Sequence, residues 1–225
     1  MIALADCNNF HASCERVFNP KIENKPVVVL SNNDGCVIAH SNEAKALGIK
    51  MGEPAFKSKD VFRRNNVHVY STNFALYGDL SERIMSIFTD YAPRIEVYSI
   101  DEAFMDFSGI PEKENAAIEL RKKVYKWVGI PVSIGVAQTK TLSKVANSIA
   151  KKQRDNGVCV FANTYEIHAC LKEFPVSKLW GVGRQYAQML DLSGIRSAYE
   201  LIQKSDQWIQ KQMAVVGLKM VKELR

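Results

Sequence analysis

The chain has 225 residues, 47% of them hydrophobic and 24% charged, and a formal net charge of +6. These values exclude a disordered or low-complexity chain, allow a substantial core in more than one module, and point to a polyanionic partner. No basic-then-apolar leader opens the sequence and no run approaches a membrane span, so a cytoplasmic protein is expected. Cys7, Cys14, Cys36, Cys159 and Cys170 are odd in number, scattered and without C-x-x-C spacing, and read as reduced structural thiols rather than a zinc site.

Residues 1–7 form an apolar strand that ends on Asp6. Phe10, Cys14, Val17 and Phe18 then recur at helical spacing, so a helix begins at once, with Asn8 or Asn9 as its cap. The N-terminal amides of that helix face the same end of the strand as Asp6 and can hold a triphosphate. Asn19-Pro20 stops it.

Residues 20–71 read as a small α/β insertion. Two β-rich runs flank Asn33-Asp34-Gly35, a hairpin signal. A helix from Ser41 to Leu47 ends at Gly48, a second runs from Glu53 or Pro54 to Arg64, and Val67–Ser71 returns as a strand. Attached beside Asp6, the insertion either closes over a substrate or is a surface elaboration.

A helix over 74–91 leads to two short strands, 94–98 and 103–107, with Asp101 and Glu102 at the bend between them. A helix over 113–128 and a strand over 131–137 complete a βαββαβ order. A right-handed crossover makes the strands ending at 7 and 98 parallel, with the hairpin's second strand between them. Asp6, Asp101 and Glu102 then converge at one end of the sheet, where three acids repel one another unless cations bind. An oxygen-only donor set favours magnesium or manganese, and two such ions serve nucleotidyl transfer or its hydrolytic reverse.

From Arg121 to Arg154 the chain carries nine Lys and Arg and no Asp or Glu. Within it 139–152 reads as a helix with Leu142, Val145, Ala146 and Ile149 inward and Lys140, Lys144 and Lys151 elsewhere on its circumference, a pattern that leans towards phosphates. Residues 166–225 are helical in pattern. There Leu179-Trp-Gly-Val-Gly183 before a helix, with Leu192-Ser-Gly-Ile195 after it, reads as a helix-hairpin-helix gripping phosphates without reading sequence. Trp127, Trp180 and Trp208 read as core or hinge anchors. The whole is an α+β fold: a ferredoxin-like βαββαβ core, the small α/β insertion and an all-helical end.

Asp6 after its strand, S-I-D-E-A at 99–103, T-K-T-L-S-K-V-A-N-S-I-A-K at 139–151 and L-W-G-V-G at 179–183 resemble the Y-family translesion DNA polymerases. The match is to the bacterial UmuC type through S-N-N-D-G-C-V-I-A at 31–39 and N-E-A-K-A-L-G at 42–48. That resemblance implies a palm at 1–19 and 72–165, fingers at 20–71 and a thumb at 166–225. It implies Asp6, Asp101 and Glu102, with the Cys7 carbonyl, as ligands of two magnesium (or manganese) ions. Asn8, Asn9, Phe10, His11, Asn42, Lys45 and Lys151 would hold the incoming nucleotide, and Cys36 and Ile38 would roof the nascent base pair. Lys178, Trp180, Gly181, Val182, Gly183 and Arg184 would meet primer-template DNA. The family usually has Tyr or Phe at the position of His11, where the ring lies under the sugar and excludes a 2′-hydroxyl; a smaller, hydrogen-bonding His puts that exclusion in doubt.

The resemblance further implies nucleoid-associated work in the SOS response to DNA damage. It also implies a UmuD-type subunit, a RecA-type filament and a sliding clamp as partners, mostly through a little finger and later regions not expected in a chain ending at Arg225. Two alternatives stand beside a polymerase. A nucleotidyl cyclase uses a similar palm, but its Gly-Gly before the acids is replaced here by Ser99-Ile100. A non-catalytic DNA-binding fragment or subunit is the other.

Overall fold

A computed structural model describes all of residues 1–225. The elements run, in order, β1 (Ile2–Cys7), α1 (Phe10–Val17), β2 (Val27–Leu30), β3 (Val37–His40), α2 (Asn42–Ala46), α3 (Lys59–Arg64), β4 (His68–Ser71), α4 (Phe74–Tyr91), β5 (Ile95–Val97), β6 (Glu102–Asp106), α5 (Lys113–Val128), β7 (Val132–Ala137), α6 (Lys140–Gln153), β8 (Val158–Val160), α7 (Thr164–Glu173), α8 (Arg184–Leu192), α9 (Ala198–Ile202) and α10 (Asp206–Leu224). The strands order as β5-β6-β1-β7-β8 in one sheet and β3-β2-β4 in a second. As the βαββαβ pattern requires, β6 lies between β5 and β1. The strand β8, parallel to β7, was not anticipated: Val158-Cys-Val160 is too short to show a period.

The chain packs as two compact units, one made of Met1–Ala5, Phe104–Ile118 and Ile134–Arg225, the other of Asp6–Ala103 and Glu119–Ser133.

In the second unit, α4 presents Tyr77, Leu80, Ile84, Met85 and Phe88 at helical spacing to the interior, and the Asn73 side chain caps its start by accepting from the Leu76 amide. The small sheet pairs β2 antiparallel with β3 and parallel with β4. Val28, Leu30, Val37, Ala44, Ile49 and Phe62 form its core. The Ser41 hydroxyl caps α2, and Gly48, at φ 80°, ends that turn in the left-handed region. The helix expected from residue 53 or 54 begins instead as a 3₁₀ turn, Ala55–Ser58, with α3 only from Lys59, because Pro54 and the bridge from Cys36 to Pro54 hold the entry extended.

In the first unit, one core runs through α6 to α10 and includes Leu142, Val145, Phe161, Leu171, Leu190, Ile209 and Leu224. The helix α6 lies almost against β7: a Cβ on Gly135 would sit 2.1 Å from the Asn147 nitrogen. Buried polar side chains of α6 are paired, Ser143 Oγ donating to the Ile2 carbonyl (2.8 Å) and Asn147 Nδ2 to the Leu4 carbonyl (3.2 Å). Glu223 accepts from the Thr141 amide at 2.9 Å, placing a carboxylate on the first turn of α6.

Of the three tryptophans, Trp127 departs from the anchor expectation. It is 62% exposed on α5, with the Lys123 ammonium 4.6 Å from its ring centre. Trp208 packs on the core of the first unit.

Ala214 interrupts α10 with φ 54° and ψ −167°, a conformation essentially reserved for glycine. Its strain, of order 1–3 kcal/mol, outweighs the roughly 0.4–1 kcal/mol by which glycine favours the unfolded chain. Ala214→Gly is therefore expected to stabilise the protein by about 1 kcal/mol and raise the melting temperature by about 2–4 °C. A thermal melt that falls instead would show that residue 214 is not strained.

Candidate active site at the end of strand β1

The hairpin bend is tied to β1 through the main chain. The Cys7 amide donates to the Asp101 carbonyl at 2.9 Å, so the Asp6-Cys7 end of β1 runs beside Asp101 and Glu102, the first residue of β6. The bend is tight, with the Tyr98 and Ser99 amides both donating to the Glu102 carbonyl. Two serines hold it: Ser81 on α4 donates to the Ile100 carbonyl at 2.6 Å, and Ser99 Oγ donates to Asp101 Oδ1 at 2.7 Å. Asp6, Asp101 and Glu102 are all half-buried, so each keeps a route to solvent. The two serines were not singled out from the sequence. Ser99, two residues before the acid, carried a readable signal, a short polar side chain able to close a local turn.

No three His, Cys, Asp or Glu side chains gather into a set that could hold a metal by themselves. Short of a formed metal site, the acids Asp6, Asp101 and Glu102 at the end of β1 are oxygen donors on neighbouring stretches of chain. That suits magnesium, which keeps several waters and takes ligands from substrate phosphates instead of a closed protein cage.

The start of α1 supplies the next layer. Asn9 takes the N-cap position at φ 50°, in the left-handed region, yet its side chain does not cap the helix as expected. Its Nδ2 donates to Asn42 Oδ1 at 3.1 Å, and its Oδ1 accepts from Lys45 Nζ at 2.5 Å. The structure thus brings together Asn9, Asn42 and Lys45, three of the residues assigned to nucleotide binding. Asn8 accepts from Ser133 Oγ at 2.9 Å through its side-chain oxygen, and Phe10 is buried in the core. The spacing of β3 places Cys36, Ile38 and His40 on its less buried face and Val37 and Ala39 on the buried one.

The His11 ring meets Tyr77 edge-on, with centroids 4.5 Å apart, and Tyr77 in turn donates to Glu15 at 2.7 Å. Burial pulls the His11 pKa below its ordinary value, the Asp101 charge opposing in part, so the imidazole is neutral at pH 7.

Lys151 lies in the last turn of α6, exposed, in the other unit. That unit also holds the Lys178–Arg184 segment. Lys178, Gly181, Gly183 and Arg184 are exposed, whereas Val182 turns its side chain into the core and leaves only its main chain for a ligand. Gly181 needs its positive φ of 91°, and Gly183 precedes the first turn of α8. Trp180 leans on Phe104, ring centroids 6.2 Å apart, with the Lys144 ammonium 5.2 Å from its ring. Trp180 is nonetheless 36% exposed, so it packs at the surface and not in the core.

Comparison with known proteins is consistent with this arrangement. The model of the impB/mucB/samB family matches residues 5–148. The chain is 46% identical over 230 residues to Protein UmuC of Salmonella typhimurium, covering 100% of this chain and 54% of that protein. It is 34% identical over 201 residues to DNA polymerase IV 2 of Mesorhizobium japonicum, covering 88% and 46%. Among solved structures, the insertion ternary complex of Dbh DNA polymerase superposes with a TM-score of 0.86 at 28% identity, covering 100% of this chain and 67% of that one. DinB from Sulfolobus solfataricus superposes with a TM-score of 0.83, also at 28% identity, covering 100% and 66%. The chain spans about half the length of the curated relatives it matches. The likeness to UmuC-type Y-family polymerases that the motifs suggested is thereby borne out, and the chain belongs to the impB/mucB/samB family.

Proposed function

We propose that the chain carries the catalytic region of a Y-family translesion DNA polymerase, which adds a deoxynucleotide to a primer 3′ end opposite a damaged template. The observation that carries this reading is the pairing of Cys7 with Asp101, which sets Asp6 beside Asp101 and Glu102 in a member of this family. Residues 1–19 and 72–165 act as palm, 20–71 as fingers and 166–225 as thumb, with the Leu179–Arg184 turn as a helix-hairpin-helix on the DNA backbone. Partners of the UmuD, RecA and sliding-clamp types would dock mostly through regions that longer relatives carry.

Asp6, Asp101, Glu102 and the Cys7 carbonyl would hold two magnesium ions. Bound magnesium supplies Lewis-acid stabilisation of the α-phosphate and a more acidic primer hydroxyl. The chain's own groups do the positioning. Lys45 and Asn42 take the triphosphate at the N-terminus of α1, where free amides favour negative charge, and Lys151 adds a further cation. Cys36 and Ile38 cover the base pair. Family membership and the Dbh and DinB likenesses leave no observation favouring a nucleotidyl cyclase.

The test is extension of a primed, lesion-containing template by this chain with dNTPs in magnesium or manganese. Template-dependent addition is the expected result, and no addition with either ion would remove the proposal for this chain.

His11 sets the sugar. Its ring is neutral and braced by Tyr77, but it is shorter than a tyrosine and able to hydrogen-bond a 2′-hydroxyl. Replacing it by tyrosine is expected to lower ribonucleotide use relative to deoxynucleotide by about tenfold or more, the scale of one steric or hydrogen-bonding contact. Equal ratios for His11→Tyr and wild type would show that residue 11 does not face the sugar.

A further inference from the structure

A cleft of about 620 Å³ opens in the second unit beside α1, from Ser13 to Val17, without Asn9 or His11 in its lining. Its lining includes Arg16 and Val17 from the last turn of α1, Arg121, Lys122 and Tyr125 from α5, and Glu23 as its acid. Six residues of helix follow His11 to the far end of α1, roughly 9 Å, and the candidate carboxylates do not line the cleft.

Both arginines are held in place. Arg16 Nη2 donates to the Lys25 carbonyl (2.5 Å) and to Glu43 (2.7 Å), while its buried Nε has no acceptor. Arg121 Nε donates to the Val132 carbonyl at 2.5 Å, and burial pulls the pKa of this guanidinium down, the sign of a cation short of water. Two fixed guanidinium groups and Lys122, set against Glu23 and the Glu43 that Arg16 already holds, keep the cleft cationic and make a place where an anion gains without first ordering its partners. Beside them the Tyr125 ring is 54% exposed, a flat apolar face at the mouth of a cationic cleft.

We infer that this cleft is a second binding site, for single-stranded DNA, with one base stacked on Tyr125 and the adjoining phosphates on Arg16, Arg121 and Lys122. Fixed cations next to an exposed ring are what single strands require: charge tracks the backbone, and the ring accepts any base. The local sequence agrees, since α5 interleaves Arg121, Lys122, Lys123, Tyr125, Lys126 and Trp127 in a stretch without Asp or Glu. A polyanion with flat bases matches both features, whereas an acidic peptide would use only the charge. The site would keep an unpaired strand on the protein at a point separate from the carboxylates.

The experiment uses a dT octamer carrying one 5-iododeoxyuridine, in EDTA and without nucleotide, so its outcome is independent of the polymerase proposal. Ultraviolet cross-linking followed by peptide mass spectrometry is expected to place an adduct on Tyr125. By fluorescence anisotropy Tyr125→Ala should weaken binding of a labelled dT octamer about tenfold, the usual worth of one stacked base. Lys122→Gln should lower the slope of log affinity against log salt by about 0.7. Both side chains are exposed, so the variants should melt as the wild type does. Adducts found only elsewhere, or unchanged affinity in both variants, would overturn the assignment. So would binding of a capped hexaglutamate peptide that Lys122→Gln abolishes, without a Tyr125 adduct, which would give the cleft to an acidic protein segment.

Discussion

Asp101→Ala is expected to abolish primer extension in magnesium while leaving the fold intact. The carboxylate sits in the bend and accepts from the Ser99 hydroxyl, and the tie to β1 runs through the Asp101 main-chain carbonyl, which alanine keeps. The structural loss is one half-exposed hydrogen bond, about 1 kcal/mol, or a melting shift of about 2–4 °C. The chemical loss is larger. A preorganised group that supports charge developing in the transition state is worth about 10²–10³ in rate, and a metal-holding carboxylate belongs at or above the upper end. Single-turnover extension beside a thermal melt separates the two. Where turnover is slow, manganese paramagnetic resonance with dNTP present gives a second readout, in which the wild type should immobilise manganese and the variant should not. Extension within tenfold of wild type, or manganese bound equally by both, would mean that Asp101 does not hold the ions.

Gly135→Ala should have the largest effect on stability. The added methyl would lie 2.1 Å from the Asn147 nitrogen, 2.5 Å from the Ser143 carbonyl oxygen and 2.7 Å from the Ala146 carbonyl carbon, all backbone atoms of α6. No rotamer change can relieve contacts with main chain, so the helix would have to move off β7. That move would stretch the bonds from Ser143 and Asn147 to the carbonyls of Ile2 and Leu4. Overpacking of this kind costs about 3 kcal/mol or more, and at about 2–4 °C per kcal/mol the melting temperature should fall by about 6–12 °C or the protein should fail to accumulate. A melt within 2 °C of wild type would show that α6 is not seated on Gly135.

Much of this was legible in the residues, and the failures have identifiable causes. Long amphipathic segments such as α4 and α5 match their expected spans because each repeats its apolar spacing over several turns. The strand β8 has only three residues and no such repeat, and the 3₁₀ entry to α3 reflects a bridge to Pro54 that no local pattern encodes. The hairpin's place beside β1 followed from connection handedness, which is a property of chirality more than of particular residues. The supporting contacts were not legible. Nothing in the spacing of Ser81, Ile100 and Asp101 says that a helix serine holds the bend, and Tyr77 braces His11 across 66 positions of sequence. Such pairs depend on tertiary packing, and a single sequence carries no record of them.

The bond from Lys45 to Asn9 bears on how fast a substrate can be captured. The ammonium, though exposed, is already seated on an oxygen at the head of α1, and Asn42 holds the other end of the same amide. If Lys45 takes the triphosphate as proposed, an arriving phosphate would swap one oxygen neighbour for another, with little searching by a long flexible chain. On the proposed reading Asn9 would serve as a placeholder for the anion, and mutations that loosen it should slow nucleotide capture before they disturb chemistry.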